Sequence, residues 1–188
     1  MICKFSVILE SWAAMYAPIS HDPEKGSKNK AFYKIRTINE NSEFVRNQNM
    51  AKSPCMAYSV LIDAQASANK SVNYAHSIYF LARAKVNSLA KNARQDDDMG
   101  ESIQMELDEY AQDLLAYLEE LKRTGRCPIS GRVFNASEMA ALRGINLDKA
   151  EWGSIPVKYA EWNILGIQLE QIAPRVICIN QEKYNKHG

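Results

Sequence analysis

Three consecutive carboxylates, Asp96-Asp97-Asp98, are the residues whose type and spacing first suggest chemistry. A hard cation such as Ca2+ or Mg2+ needs several oxygen ligands converging on one point. Consecutive residues project in different directions, and no histidine or second carboxylate cluster is spaced to complete a shell. The start of an acidic helix explains the triplet without a ligand, because the helix macrodipole favours anions there.

The histidines are His21, His76 and His187. His187 lies in the terminal tail and His21 in a turn bounded by Pro18 and Pro23. His76 alternates with apolar residues, the setting of a hydrogen-bonded structural histidine. General acid–base or nucleophilic catalysis needs such a group beside a Ser, Cys or water, and no G-x-S-x-G, H-E-x-x-H or Cys–His signature is present. The eight glycines are scattered singly, so no phosphate-cradling loop forms. The residues therefore predict no catalytic group, no cofactor and no metal, and a protein that is not an enzyme.

Cys3, Cys55, Cys127 and Cys178 are far apart and sit among apolar residues. They read as small buried hydrophobes in a reducing compartment rather than as a metal or redox set. There is no signal-peptide pattern and no apolar run near the ~20 residues of a membrane span. A cytoplasmic or virion-associated location is expected, away from membranes.

Charge is more informative than any pocket-forming motif. The chain has 188 residues and a formal net charge of +1, so no global field selects nucleic acid, membrane or an acidic substrate. The charges are nonetheless segregated. Lys25, Lys28, Lys30, Lys34 and Arg36 form a basic run without an intervening carboxylate, and Arg83, Lys85, Lys91 and Arg94 form a second. From Asp96 to Glu120 there are ten carboxylates, among them Asp97, Asp98, Glu101 and Glu109, and no Lys or Arg. A charge run reads first as a solvated face. The sharper reading is a pair of complementary surfaces that dock copies of the protein or a partner. Phe32 and Tyr33 within the first basic run also fit a stacking platform for nucleic acid. With a pI of about 7.6 and no recognised module, that alternative is disfavoured. Lys guarding a strand edge explains the same residues. Trp12, Trp152 and Trp162 read as core or interface anchors.

The elements that must carry these charges follow from periodicity. Phe5, Ile8, Leu9, Trp12, Met15 and Tyr16 form a helical stripe over 5–17, ended by Pro18 and Pro23. Residues 24–30 read as a polar loop, 32–38 as a short strand and 39–53 as irregular. Met56, Tyr58, Val60 and Ile62 share one face of a strand, with Cys55, Ala57, Ser59 and Asp63 on the other. After a polar turn at 65–71, Tyr74, His76, Ile78, Phe80, Ala82 and Ala84 share a face of a second strand, antiparallel to the first. Ile103, Leu107, Tyr110, Leu114, Tyr117, Leu118 and Leu121 recur at three and four, predicting a helix over 99–124 closed by Gly125. Asn135 and Glu138 make a capping box for a short helix ending at Gly144. Strands are predicted at 155–159, 162–170 and 175–180, with Pro174 as an interruption. The order α-β-β-β-α-(α)-β-β gives an α+β class: an antiparallel or mixed sheet packed against one long amphipathic helix plus an N-terminal helix. One domain is expected over 1–180, with 181–188 as a flexible tail.

Taken together, the segments resemble a family of small proteins encoded in bacterial phage and prophage-like regions. The resemblance rests on His21-Asp22-Pro23, on Phe32-Tyr33-Lys34-Ile35, and on Pro54-Cys55 opening the strand Met56–Ala64. The acidic helix 99–124 and Gly166-Ile167-Gln168-Leu169 complete it. Pro174 and the connector 126–150 depart from the family outline. The resemblance implies a non-enzymatic phage structural role, similar to tail-completion and tail-terminator proteins whose subunits form rings. The partners it implies are further copies of the chain and other phage structural proteins. The basic stretch at 25–36 or 83–94 would then face the acidic 96–120 of the next subunit.

Overall fold

The computed structural model describes residues 2–35, 53–63, 71–83, 93–155 and 162–174. Helix α1 spans Ile2–Met15 and is followed by two short 3-10 turns, Pro23–Lys25 and Ser27–Asn29. Strands β1 (Phe32–Lys34), β2 (Cys55–Asp63) and β3 (Ser71–Arg83) come next. Then follow helix α2 (Ala93–Thr124), helix α3 (Ala136–Leu142), β4 (Ile145–Ser154) and β5 (Trp162–Pro174). The five strands form one mixed sheet in the order β1-β2-β3-β5-β4. β1 runs parallel to β2 and every other pair is antiparallel. The α+β class, a mixed sheet with one long helix and an N-terminal helix, is the one read from the sequence.

Register decides which side chains share a face. Met56 lies opposite Phe80 and Tyr58 opposite Ile78. Ile78 in turn lies opposite Ile167, and Phe80 opposite Leu165. This apolar face receives both long helices. Phe5 packs edge-on against Tyr58 and His76, and Trp12 against Phe80. Tyr110 of α2 meets Phe80 and Tyr16. Leu107, Leu114, Leu118 and Leu121 of α2 are all buried, as their three-and-four spacing requires. The Tyr16 hydroxyl donates to Asp113 at 2.6 Å and binds α1 to α2. Burial and that bond raise its pKa.

Several boundaries differ from those read in the sequence. α2 starts at Ala93, not 99, so the aspartate triplet lies inside its first turns. β1 ends at Lys34, and Arg36 onward lies outside the described residues. Ser71 opens β3 instead of belonging to a turn, while 65–70 lie outside the described residues. The strand expected at 155–159 falls, beyond Ile155, outside the described residues. β4 at 145–154 is not legible in the sequence, because its polar residues and irregular pairing between Asn146 and Glu151 hide the alternation. β5 runs past the expected end at 170 as far as Pro174, which is paired with Ser71. A proline is tolerated at a strand end, where no further ladder bond is needed. Residues 175–188, including the expected strand 175–180 and tail, lie outside the described residues. β2 also differs from a half-solvated strand, since Cys55, Met56, Ala57, Tyr58 and Ser59 are buried on both faces. Burial pushes the Cys55 thiol up to about 12, the behaviour of an inert core cysteine.

Local stop signals behave as expected. Gly125 sits at φ +70° after the last turn of α2, its N–H bonded to the Leu121 carbonyl at 2.9 Å. The capping box forms in both directions, Glu138 N–H to Asn135 Oδ1 and Asn135 N–H to Glu138 Oε2, each at 2.9 Å. Gly144 at φ +79° follows α3, and a Cβ there would collide with the Ile172 carbonyl oxygen.

One buried polar chain ties the layers together. The Gln171 amide donates to the carbonyls of Ala141 and Arg143, both at 2.9 Å. Its Oε1 must therefore accept from His76 Nε2, at 3.0 Å. That assigns the tautomer: Nδ1 carries no proton and accepts from the Tyr58 hydroxyl at 2.8 Å. Tyr58, His76 and Gln171 thus link β2, β3 and β5 to the end of α3. Burial lowers the His76 pKa from its ordinary 6.5. Burial also lowers that of His21, partly countered by Glu10.

Two outcomes follow. His76 and His21 bind protons less readily in the folded than in the unfolded chain, so the stability they contribute is fully present above about pH 6.5 and is lost as pH falls towards the depressed native values. Thermal unfolding between pH 7.5 and 5 should show that fall, and His76→Asn should flatten it. Gly144→Ala should cost about 2 kcal/mol or more in chemical denaturation, through the backbone collision and the positive φ.

Candidate functional site

Helix α2 is long enough to overhang the sheet, contacting β5, β3 and β4, and its first half presents a face that the core does not use. Gln104, Asp108 and Gln112 recur every four residues, flanked by Glu101, Met105 and Glu109. Across from them, β4 lies at the sheet edge, with Trp152 opposite Ile167 and therefore on the helix-bearing face. Between them runs a groove of about 690 Å³, reaching Gly153, Ser154 and Leu165.

Asp108 organises this groove. Its Oδ1 accepts from the Trp152 indole N–H at 2.8 Å, and its Oδ2 accepts from the Gln112 amide at 2.6 Å. The indole is thereby held across the groove while remaining 44% exposed, whereas Trp12 and Trp162 are buried. Met105 is 69% exposed beside it. Among the described residues, Glu101, Asp108 and Glu109 have no Lys or Arg partner. The groove thus joins exposed apolar area to carboxylates that no described Lys or Arg pairs with.

The other acidic candidates are placed differently. Glu120 is taken by Arg123 three residues on, at 2.7 Å. Asp97 and Asp98 lie in the first turns of α2, their side chains outside the description. No group of three or more His, Cys, Asp or Glu among the described residues is arranged to hold a metal.

The basic candidates divide as well. Lys25 pairs with Asp22 at 2.9 Å, and Lys34 with Glu10 at 3.0 Å. Lys28 and Lys30 are exposed and form no ion pair among the described residues; Lys30 lies over the Tyr33 ring at 5.1 Å. Arg83 is not part of an open patch. It is half-buried over the Trp162 ring at 4.6 Å. Arg36 and Lys85 lie outside the described residues. The stacking platform for nucleic acid fails on one point: Phe32 is a core residue, 2% exposed, with its backbone N–H on His21 Nδ1.

Two other polar positions are structural. His21 Nδ1 accepts from the backbone of Ala31 at 2.9 Å and Phe32 at 3.2 Å, holding the 3-10 turns against β1. For Cys127, burial raises the pKa, but hydrogen bonds, chiefly from Ser130, offset this and leave it lowered.

Sequence reasoning found Glu101 and Glu109 but missed Trp152, Asp108 and Met105 as one site. The four-residue spacing on α2 was a usable signal. The contribution of Trp152 was hidden because β4 itself was not recognised. Compared with known proteins, no family model matches this chain and no curated protein matches it significantly.

Trp152 gives a direct readout of the groove. Acrylamide should quench mainly this indole, so Trp152→Phe should remove most of the quenchable emission. Asp108→Ala should steepen the quenching while costing about 1 kcal/mol or less of stability.

Proposed function

We propose that this protein is a non-enzymatic structural subunit that associates with copies of itself, in the manner of phage tail-terminator or tail-completion proteins. The observation that carries this reading is the position of the two charge types on the sheet. The exposed basic residues Lys28 and Lys30 precede β1, one edge strand, and the acidic groove borders β4, the other. A surface at one edge that complements a surface at the opposite edge pairs heterologously. Such pairing closes into a ring when the rotation between copies permits, or extends as a filament when it does not. The resemblance of His21-Asp22-Pro23, Pro54-Cys55 and the acidic helix to phage-encoded proteins points to the ring.

The candidate residues support this class over a chemical one. Charged groups at the two edges favour steering and register between subunits. His21, His76 and Cys55 are consumed by the core. No helix among the described residues is long and apolar enough to cross a membrane.

Size-exclusion chromatography with light scattering tests the proposal. At low ionic strength the mass should be a multiple of 21.3 kDa, falling towards the monomer as salt screens the contact. A monomer at high protein concentration and low salt would overturn it.

A further inference from the structure

Resting on the self-association proposed above, we infer that the groove between α2 and β4 receives the Lys28–Lys30 turn of a second copy. The groove carries three carboxylates, Glu101, Asp108 and Glu109, without a Lys or Arg partner among the described residues, and an exposed apolar floor of Met105 and Trp152. Its chemistry calls for a ligand with cationic ends and aliphatic stems. Lysine supplies both, since its methylenes cover apolar surface while the ammonium reaches a carboxylate. Trp152 adds a ring face to which an ammonium is attracted.

The chain carries a matching element. Lys28 and Lys30 are exposed at the end of the Ser27–Asn29 turn, where the Asn29 side chain bonds to the Lys25 carbonyl at 3.1 Å and the Asn29 N–H to the Gly26 carbonyl at 3.0 Å. The turn is anchored on the core through Asp22 N–H, which donates to the Asn29 carbonyl at 3.0 Å. It is presented in one shape, so docking costs little ordering entropy.

The Lys28–Lys30 turn lies across the sheet from the groove of its own copy. Three strands separate β1 from β4, and at about 4.8 Å per spacing the two edges are on the order of 19 Å apart. The contact therefore runs from one copy to the next. Each copy offers one turn and one groove, which is the arithmetic of a head-to-tail assembly.

Charge reversal tests this. One variant carries Glu101→Lys and Glu109→Lys; another carries Lys28→Glu and Lys30→Glu. All four side chains are exposed. At a salt concentration where the wild type is assembled, each variant alone should be monomeric, with association weakened by roughly tenfold or more. The two mixed in equal amounts should assemble, and a chain carrying all four changes should assemble on its own, which also shows that the changes leave the fold intact. If either variant keeps the wild-type mass, or the mixture and the fourfold variant stay monomeric, the groove is not the acceptor although self-association stands. If the wild type itself never assembles, both readings fall.

Discussion

His76 sits at the middle of the sheet on β3, without solvent exposure, and both its ring nitrogens are committed. Protonation would place a charge in the core with no carboxylate within hydrogen-bonding distance, so the ring must stay neutral for the fold to persist. Its tautomer is not free either, because the Gln171 amide is pinned by two helix carbonyls and presents only its oxygen. One hydrogen-bond polarity therefore runs from Tyr58 through His76 to Gln171 and α3. A one-residue slip of β5 against β3 would move Gln171 to the opposite face and leave several buried polar groups unpaired. That penalty fixes β5 beside β3, and so leaves β4 as the edge strand.

The edge position of β4 creates the surface chemistry. With β5 locked, α2 lies across β3, β5 and β4, and its apolar stripe is used up on Phe80 and neighbouring core residues. The adjacent helix face is then left above the sheet edge, where Asp108 reaches the Trp152 indole. At the far edge, His21 performs the corresponding task. It accepts from the backbone of Ala31 and Phe32, closing part of the β1 edge and holding the lysine-bearing turns in place. Two buried histidines thus position two exposed surfaces of opposite charge.

Much of this was legible in the sequence where one element's pattern reports on one environment. The α2 stripe, the Asn135–Glu138 box, the Gly125 stop and the alternating face of β3 were of this kind. So was the reading of His76 as a hydrogen-bonded core residue. Legibility failed where burial depends on partners remote in sequence. β4 is an edge strand with an irregular register, so Ile145–Ser154 lacks alternation and reads as a connector. The charge runs were visible, but their depletion by Lys34–Glu10, Lys25–Asp22 and Arg123–Glu120 was not. Among the described residues, that sorting leaves Lys28 and Lys30 beside β1 and Glu101, Asp108 and Glu109 at the groove without ion-pair partners.

The proposed contact between those two sets is tested most directly by zero-length carbodiimide cross-linking of a mixture of isotopically light and heavy protein. Lys28 or Lys30 of one label should join Glu101 or Glu109 of the other, with yield falling as salt is raised. Cross-links to these carboxylates confined to a single label, or unchanged by salt, would contradict it.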